Sequence, residues 1–295
     1  MHLALLGYPL SHSLSPAMHN AALGAVGLDD WRYEAMPVEP ERLAEAVAAI
    51  RGGDYAGANI TVPYKTAVIP LLDGLTPVAE MIGAVNTLVK KNGQLIGHNT
   101  DAAGLLADLR SHGCSIANRP ILILGAGGAA RAAVAACASA GARIRLVARR
   151  PEQAQLLITN YPSLEIFDWS PLFFLQASED CALILNTTPL GMTPDTDTSP
   201  WLDGAPFPPG AFVYDLVYNP AETLLVRQAR AAGLRAATGL GMLVEQGALA
   251  FELWTGRAAS RDVMRKAAEA ILNSPPHPGP LAPLLVSDPK GLRDP

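Results

Sequence analysis

The sequence predicts a two-domain α/β protein, on three observations. Its 295 residues are about twice the ~150 that one domain typically occupies. Short apolar runs alternate with segments of helical periodicity through both halves, the pattern of helices laid over sheets. A glycine-rich loop, Gly125-Ala126-Gly127-Gly128, stands between such a run and a helical segment, where a second alternating series begins.

Leu3 to Leu6 reads as a short buried strand. Ser15-Pro16 places a capping hydroxyl before a proline suited to a first helical turn, and Gly27 closes that helix. Trp31 to Met36 is a second strand. Leu43, Val47 and Ile50 recur at helical spacing within Glu41 to Ile50, and Tyr55 to Thr61 is extended again. Thr76-Pro77 repeats the cap-plus-proline signal. Asn92-Gly93, between Thr87-Leu88-Val89 and Gln94-Leu95-Ile96, predicts a hairpin turn because both residues tolerate positive φ. The second series takes strands at Ile121 to Leu124, Ile144 to Ala148, Ala182 to Leu185, Phe212 to Leu216 and Arg235 to Ala237. Helices at Ala129 to Ala140 and Glu222 to Ala232 separate them, which predicts a parallel sheet covered on both faces. Val244 to Trp254 is one more helix. The proline-dense stretch from Ser274 to Pro295 lacks periodicity and is expected to be a flexible, functionally neutral tail.

Apolar residues make up 49% and charged residues 17%, enough to bury a sizeable core and too little charge for a disordered chain. With 22 Lys and Arg against 27 Asp and Glu, a net charge of -5, no general basic field exists to hold nucleic acid or an anionic membrane. Any phosphate must be gripped locally. No run approaches the ~18 uninterrupted apolar residues of a membrane span, and no basic region precedes the first apolar run, which argues against a signal peptide. Cys114, Cys137 and Cys181 form no CxxC pair and the histidines show no ligand spacing, so neither a disulfide framework nor a metal site is expected, and a reducing cytoplasm fits. His12 and His19 read as locally hydrogen-bonding residues rather than catalysts.

In the glycine loop, Gly125 suits the tight turn, Gly127 lets the backbone approach a pyrophosphate, and Ala130 permits close helix-to-strand packing. The helix start adds amides and a partial positive charge. An ordinary glycine turn in a doubly wound sheet would look the same taken alone. The next strand's end discriminates further: about 20 residues past the loop an acidic residue would accept from an NAD ribose, whereas arginine would pair with a 2′-phosphate. Ala148-Arg149-Arg150 stands there, and Glu152 comes too late, past Pro151. NADP is the predicted cofactor; the competing reading is a pair of solvated surface arginines.

Four polar blocks in the first hundred residues look costly for a purely structural role. They are Ser13-Leu14-Ser15-Pro16, Asn59-Ile60-Thr61-Val62-Pro63-Tyr64-Lys65, Gly83-Ala84-Val85-Asn86-Thr87 and Gly97-His98-Asn99-Thr100-Asp101. Each falls at a strand end, loop or helix start, where side chains can converge on the carboxyl edge of a sheet. Taken singly, a bland role suffices: Ser15 caps a helix, Asn59 and Asn86 satisfy loop amides, Lys65 is a solvated charge.

Further blocks are Asn186-Thr187-Thr188-Pro189-Leu190-Gly191-Met192, Asp215-Leu216-Val217-Tyr218-Asn219-Pro220, Gly239-Leu240-Gly241-Met242-Leu243 and Trp254-Thr255-Gly256. Together with the glycine loop, all of these closely resemble the shikimate dehydrogenase family from Gly7 to Gly256. The resemblance implies an N-terminal α/β substrate domain over residues 1–101, to which C-terminal helices 240–272 return. It also implies a Rossmann-type doubly wound NADP domain over 102–239, a cleft between the two, and a tail over 273–295. The implied reaction is the reversible, NADP-dependent reduction of 3-dehydroshikimate to shikimate in aromatic amino-acid and chorismate biosynthesis. The implied enzyme is a cytoplasmic monomer or homodimer.

On matching positions, Ser13 and Ser15 would hold the substrate carboxylate with help from Tyr218. Asn59, Thr61, Asn86 and Gln246 would contact ring hydroxyls or organise their neighbours. Lys65 and Asp101 would form the catalytic pair, both touching substrate, with Lys65 favoured as proton donor, because once hydride reaches a carbonyl carbon its oxygen becomes an alkoxide and must gain a proton. Burial would lower the lysine's pKa and Asp101 would raise it, a balance the sequence leaves open. The cofactor set would be Gly125, Ala126, Gly127, Gly128, Ala129, Arg149, Arg150, Thr187, Thr188, Leu216, Gly239 and Met242. The chain departs from the family pattern at Ala148, Arg150, Gln153 and Gly247. Gly247, where alanine is usual, lowers helix propensity by ~1 kcal/mol and is expected to loosen its helix. Two rivals stand beside this reading: an NAD-using quinate/shikimate dehydrogenase, disfavoured by the paired serines and double arginine, and a non-catalytic NADP-sensing module, disfavoured by Lys65 and Asp101.

Overall fold

A computed structural model describes residues 1–10, 13–152, 154–155 and 160–274; His12, Gln153 and the tail from Pro275 lie outside them. The alternation resolves into two six-stranded sheets. In the first, β1 (His2–Gly7) runs parallel between β2 (Arg32–Pro37) and β3 (Tyr55–Ile60). The hairpin β5 (Thr87–Lys91) and β6 (Gln94–His98) continues antiparallel from β3, and β4 (Gly74–Leu75) closes the edge. Asn92 and Gly93 turn the hairpin at φ 51 and 78, the doubly left-handed geometry that a two-residue turn of this twist requires. The first sheet is therefore mixed.

The second sheet is wholly parallel, ordered β12-β11-β10-β7-β8-β9. Its strands are β7 (Pro120–Leu124), β8 (Arg143–Ala148), β9 (Glu165–Asp168), β10 (Leu183–Asn186), β11 (Phe212–Asp215) and β12 (Arg235–Thr238). The order reverses between β7 and β10, which opens a ligand crevice at their carboxyl ends.

Helices cover both faces of each sheet, which is why Ile121, Leu122, Ile123 and Leu124 form an uninterrupted apolar run, all fully buried. On the first sheet, α1 (Ser15–Ala25), α8 (Leu240–Thr255) and α9 (Arg261–Leu272) cover Leu3, Leu5 and Tyr33 with Met18, Phe251, Trp254 and Met264. The opposite face packs under α2 (Leu43–Gly52) and α3 (Pro77–Ile82). On the second sheet, α4 (Asp101–Ser111) and α5 (Gly128–Ser139) take one face, and α6 (Pro171–Ser178) and α7 (Leu224–Ala231) the other. Among the described residues no helix is long and apolar enough to cross a membrane.

Several expectations need correcting. Ser15 does not cap α1: it is the first helical residue, and Leu14 holds the cap position without a side-chain bond. The helix does close at Gly27 (φ 69), where Gly27 N–H donates to Gly24 and Leu28 N–H to Leu23, the paired bonds of a left-handed helix end. α7 starts after Thr223, whose hydroxyl accepts from Val226, rather than at Glu222. The expected strands and helices omit β9 and α6: β9 is a four-residue edge strand, and α6 buries only Phe174, Ala177 and Ser178; α9 lies within the expected helices 240–272.

Gly247 does not interrupt α8. A Cβ there would lie 3.3 Å from Met18 Cε and 3.5 Å from His19 Nε2, so its bare backbone lets α1 pack closely. His19 itself is not a hydrogen-bonding residue. Neither ring nitrogen has a partner, the ring stacks 4.3 Å from Tyr33, and burial lowers its pKa to about 3, so the imidazole is neutral.

Candidate active site

A cavity of about 180 Å³ opens where the two sheets face each other. Ser13, Ser15, Asn59, Thr61, Lys65, Asn86, Asp101, Tyr218 and Gln246 all line it. So do Ala129, Leu216, Gly239 and Met242 of the predicted cofactor set, while Leu5, Ile60 and Leu243 add apolar wall. A larger hollow of about 370 Å³ beyond the end of α4 is lined by Leu106, Leu109, Arg110, Cys114, Ser115 and Ile116 among others, and holds none of the predicted site residues.

The cavity's polar centre is built at strand ends. Lys65 follows the turn in which Tyr64 N–H donates to Thr61, and its backbone carbonyl accepts from Val85 at 2.7 Å. Asp101 opens α4. Lys65 Nζ donates to Asp101 Oδ2 at 2.7 Å, with side chains 16% and 6% exposed, so this ion pair is largely shielded from water. Asn86 Nδ2 donates to the other carboxylate oxygen at 3.0 Å, which fixes the carboxylate's rotation. The same amide nitrogen donates to Thr100 Oγ1 at 2.8 Å and Gln246 Oε1 at 3.2 Å. Asn86 Oδ1 accepts from Thr100 N–H and Thr87 Oγ1.

Asn59 is equally engaged. Its Nδ2 donates to Asn86 O and Thr87 Oγ1, and its Oδ1 accepts from Tyr33 Oη at 2.8 Å. Ser13 Oγ accepts from Ser15 N–H, and the two serines flank the uncapped start of α1, a position favourable to an anion. Burial pushes the phenols of Tyr33 and Tyr218 up, which leaves both protonated as donors at neutral pH. Tyr33, Thr87 and Thr100 were missed as site residues. Thr87 and Thr100 lie inside two polar blocks, but nothing local marks Tyr33, whose role rests on a contact with Asn59 26 residues away.

The nucleotide side is made of backbone. Gly125 turns at φ 110, and a Cβ there would stand 2.7 Å from Thr187 Oγ1. Gly127 holds the cap position of α5 with no side-chain bond and has nothing within 4 Å of where a Cβ would be. Those free first-turn amides and the open approach over the glycines fit a pyrophosphate. Ala126 and Gly128 complete the turn, with Lys65 Cβ 3.2 Å from a Cβ built on Gly128. Thr187 Oγ1 donates to Leu124 O, and Thr188 N–H and Oγ1 donate to Asn186 Oδ1. Arg149 and Arg150 stand exposed just past β8, outside the cavity but at the strand end where a 2′-phosphate would be met. Behind this wall Asp215 accepts from Asn186, Val217 and Thr223, and burial pushes its pKa up to about 6.

Comparison with known proteins agrees with this arrangement. Residues 5–88 match the shikimate dehydrogenase substrate-binding domain, and residues 239–269 the shikimate 5′-dehydrogenase C-terminal domain. A shikimate dehydrogenase (NADP+) of Symbiobacterium thermophilum is 44% identical over 281 residues, 93% of this chain and 95% of that protein. The structure of shikimate 5-dehydrogenase from Thermus thermophilus, in complex with NADP(H) and shikimate, superposes with a TM-score of 0.83 at 40% identity, covering 92% of this chain and 99% of that one. A ligand-free 5-ketofructose reductase from Gluconobacter gives 0.80 at 33%, covering 92% and 98%. With its two sheets, its shared cavity and relatives matching it over nearly their whole length, the chain belongs to the shikimate dehydrogenase family.

Proposed function

We propose that this protein is an NADP-dependent shikimate dehydrogenase that reversibly reduces 3-dehydroshikimate to shikimate. One observation carries the reading: the Lys65–Asp101 ion pair lies in the same cavity that the glycine-loop helix closes from the other side through Ala129. When bound, NADPH would supply the hydride. Lys65 supplies a positive charge and a proton to the carbonyl oxygen as it becomes an alkoxide. Asp101, held on its second oxygen by Asn86, aims the ammonium and returns it to the same place after each turnover.

Ser13, Ser15 and Tyr218 offer hydroxyl donors to the substrate carboxylate, and Thr61, Asn86 and Gln246 face the ring hydroxyls. A site of fixed donors and acceptors rejects analogues that lack a hydroxyl, because its own buried groups are then left unpaired. The α5 amides, Gly125 to Ala129, Thr187, Thr188, Leu216, Gly239 and Met242 would hold the cofactor, with Arg149 and Arg150 on the 2′-phosphate. The division into 1–101 with 240–272 and 102–239 puts the cavity between the domains, with Tyr218 reaching the substrate from the second and Met242 reaching the cofactor from the first. The three free thiols suit a reducing cytoplasm.

The test follows the absorbance of the reduced nicotinamide during oxidation of shikimate and of quinate with NADP+ or NAD+, and during reduction of 5-ketofructose with NADPH or NADH. Shikimate with NADP should turn over fastest, and 5-ketofructose, which has no carboxylate for the serines, should turn over poorly. Cofactor binding without turnover of any substrate would overturn the reading in favour of a sensor.

A further inference from the structure

The helices that join the two sheets, α4 and α8, cross through two reciprocal glycine contacts. A Cβ on Gly104 of α4 would lie 2.8 Å from the Gln246 backbone nitrogen and 2.9 Å from Gln246 Cβ. A Cβ on Gly241 of α8 would collide with the Asp108 carboxylate of α4. The pairing runs antiparallel, 104 against 246 and 108 against 241. At the second contact, Tyr214 Oη donates to Asp108 Oδ2 at 2.6 Å and accepts from Met242 N–H at 3.3 Å. The first turn of α8 is thereby tied to α4 and to β11.

The surroundings of these glycines are polar and lead to the site. Gln246 Oε1 reaches Asn86 Nδ2 at 3.2 Å, and that amide holds Asp101 Oδ1 at 3.0 Å. A hydrogen bond at 3.2 Å tolerates little retreat of either helix. Glycine inside a helix costs roughly 1 kcal/mol relative to alanine, so two of them at one crossing answer to the approach they permit.

We propose that Gly104 and Gly241 are positioning residues: they let α4 and α8 approach until Gln246 engages Asn86, and through Asn86 they orient Asp101 toward Lys65. The proposal rests on the dehydrogenase reading above.

The test is a double-mutant cycle on shikimate oxidation, using wild type, Gly104→Ala, Gln246→Ala and the double variant. Gln246→Ala retains the α8 backbone and Cβ that the new methyl meets, so any general packing defect is common to both backgrounds. Gly104→Ala is expected to lower kcat/KM about tenfold in the wild-type background and less than about twofold when Gln246 is already gone, as coupled neighbours do. Equal losses in both backgrounds, or full activity of Gly104→Ala, would overturn the proposal. Should that variant fail to fold, Tyr214→Phe keeps the ring, removes both ties of the same crossing, to Asp108 and to the Met242 amide, and takes its place in the cycle with the same two outcomes. A wild type inactive on shikimate would instead defeat the functional reading.

Discussion

The two walls of the cavity are built of opposite materials. On the substrate side, Asn59, Asn86, Thr87, Thr100, Asp101 and Gln246 hold one another in a buried network. On the nucleotide side, the working surface is glycine backbone and helix amides, with two exposed arginines beyond it. A polyhydroxylated ring demands groups fixed in direction, whereas a pyrophosphate demands room and convergent N–H groups. The first wall is preorganised by side chains and the second by their absence.

The sharpest test of this contrast removes the group at the centre of the substrate wall. Lys65→Ala should cut kcat about a thousandfold, within the range for losing a positioned acid, while NADPH affinity measured by fluorescence titration barely changes. Comparable losses in both would show that the walls are not separable. On the nucleotide side, replacing Arg149 and Arg150 by acidic residues should shift the ratio of kcat/KM for NADP over NAD by about tenfold to hundredfold. An unmoved ratio would make the two arginines surface charges.

Each wall also has a buried titratable group behind it, and the two act in opposite senses. Asp215, with a folded pKa near 6 against an ordinary 3.8, favours the fold fully below the unfolded value and loses that contribution as pH rises through 6. The loss amounts to no more than about 3 kcal/mol. Asp215→Asn should therefore gain on wild type between pH 4.5 and 7.5 in urea titrations. A constant difference at the two pH values would refute the burial penalty.

His19, depressed from 6.5 to about 3, contributes stability above 6.5 that is lost as pH falls toward 3. His19→Phe should leave stability at pH 7 within about 1 kcal/mol, since an unpartnered polar group is replaced by an apolar ring. It should also flatten the acid loss in urea titrations carried from pH 7 down to pH 4; an unchanged acid slope would mean that the folded His19 takes up its proton as readily as the unfolded one, with no burial penalty.

What the sequence discloses divides along the same line. The glycine loop, the arginines after β8 and the Asn92-Gly93 hairpin are legible because their physics is local: a positive φ, a helix start, a strand end. The substrate network is not local. Asn86 meets Gln246 across 160 positions, and each polar block alone reads as an ordinary loop, so those residues emerged only through resemblance to a family. His19 misleads because a lone histidine is expected to find a partner; Tyr33, Phe251 and Trp254 surround it from remote parts of the chain. Gly241 stands out only as part of the 239–243 block that resembles the family, and Gly104 carries no sequence signal, since a glycine in a helix looks like a weakness until the opposing helix is in place.

The return of α8 and α9 to the first sheet has a consequence for biosynthesis. Leu3, Leu5 and Tyr33 leave the ribosome early, yet Phe251, Trp254 and Met264, which cover them, emerge only after the entire second sheet. At about 5 to 20 residues per second, the apolar surface waits roughly 10 to 50 seconds for its lid. Until α8 and α9 emerge, that face of the first sheet is exposed apolar surface of the kind that aggregates most readily.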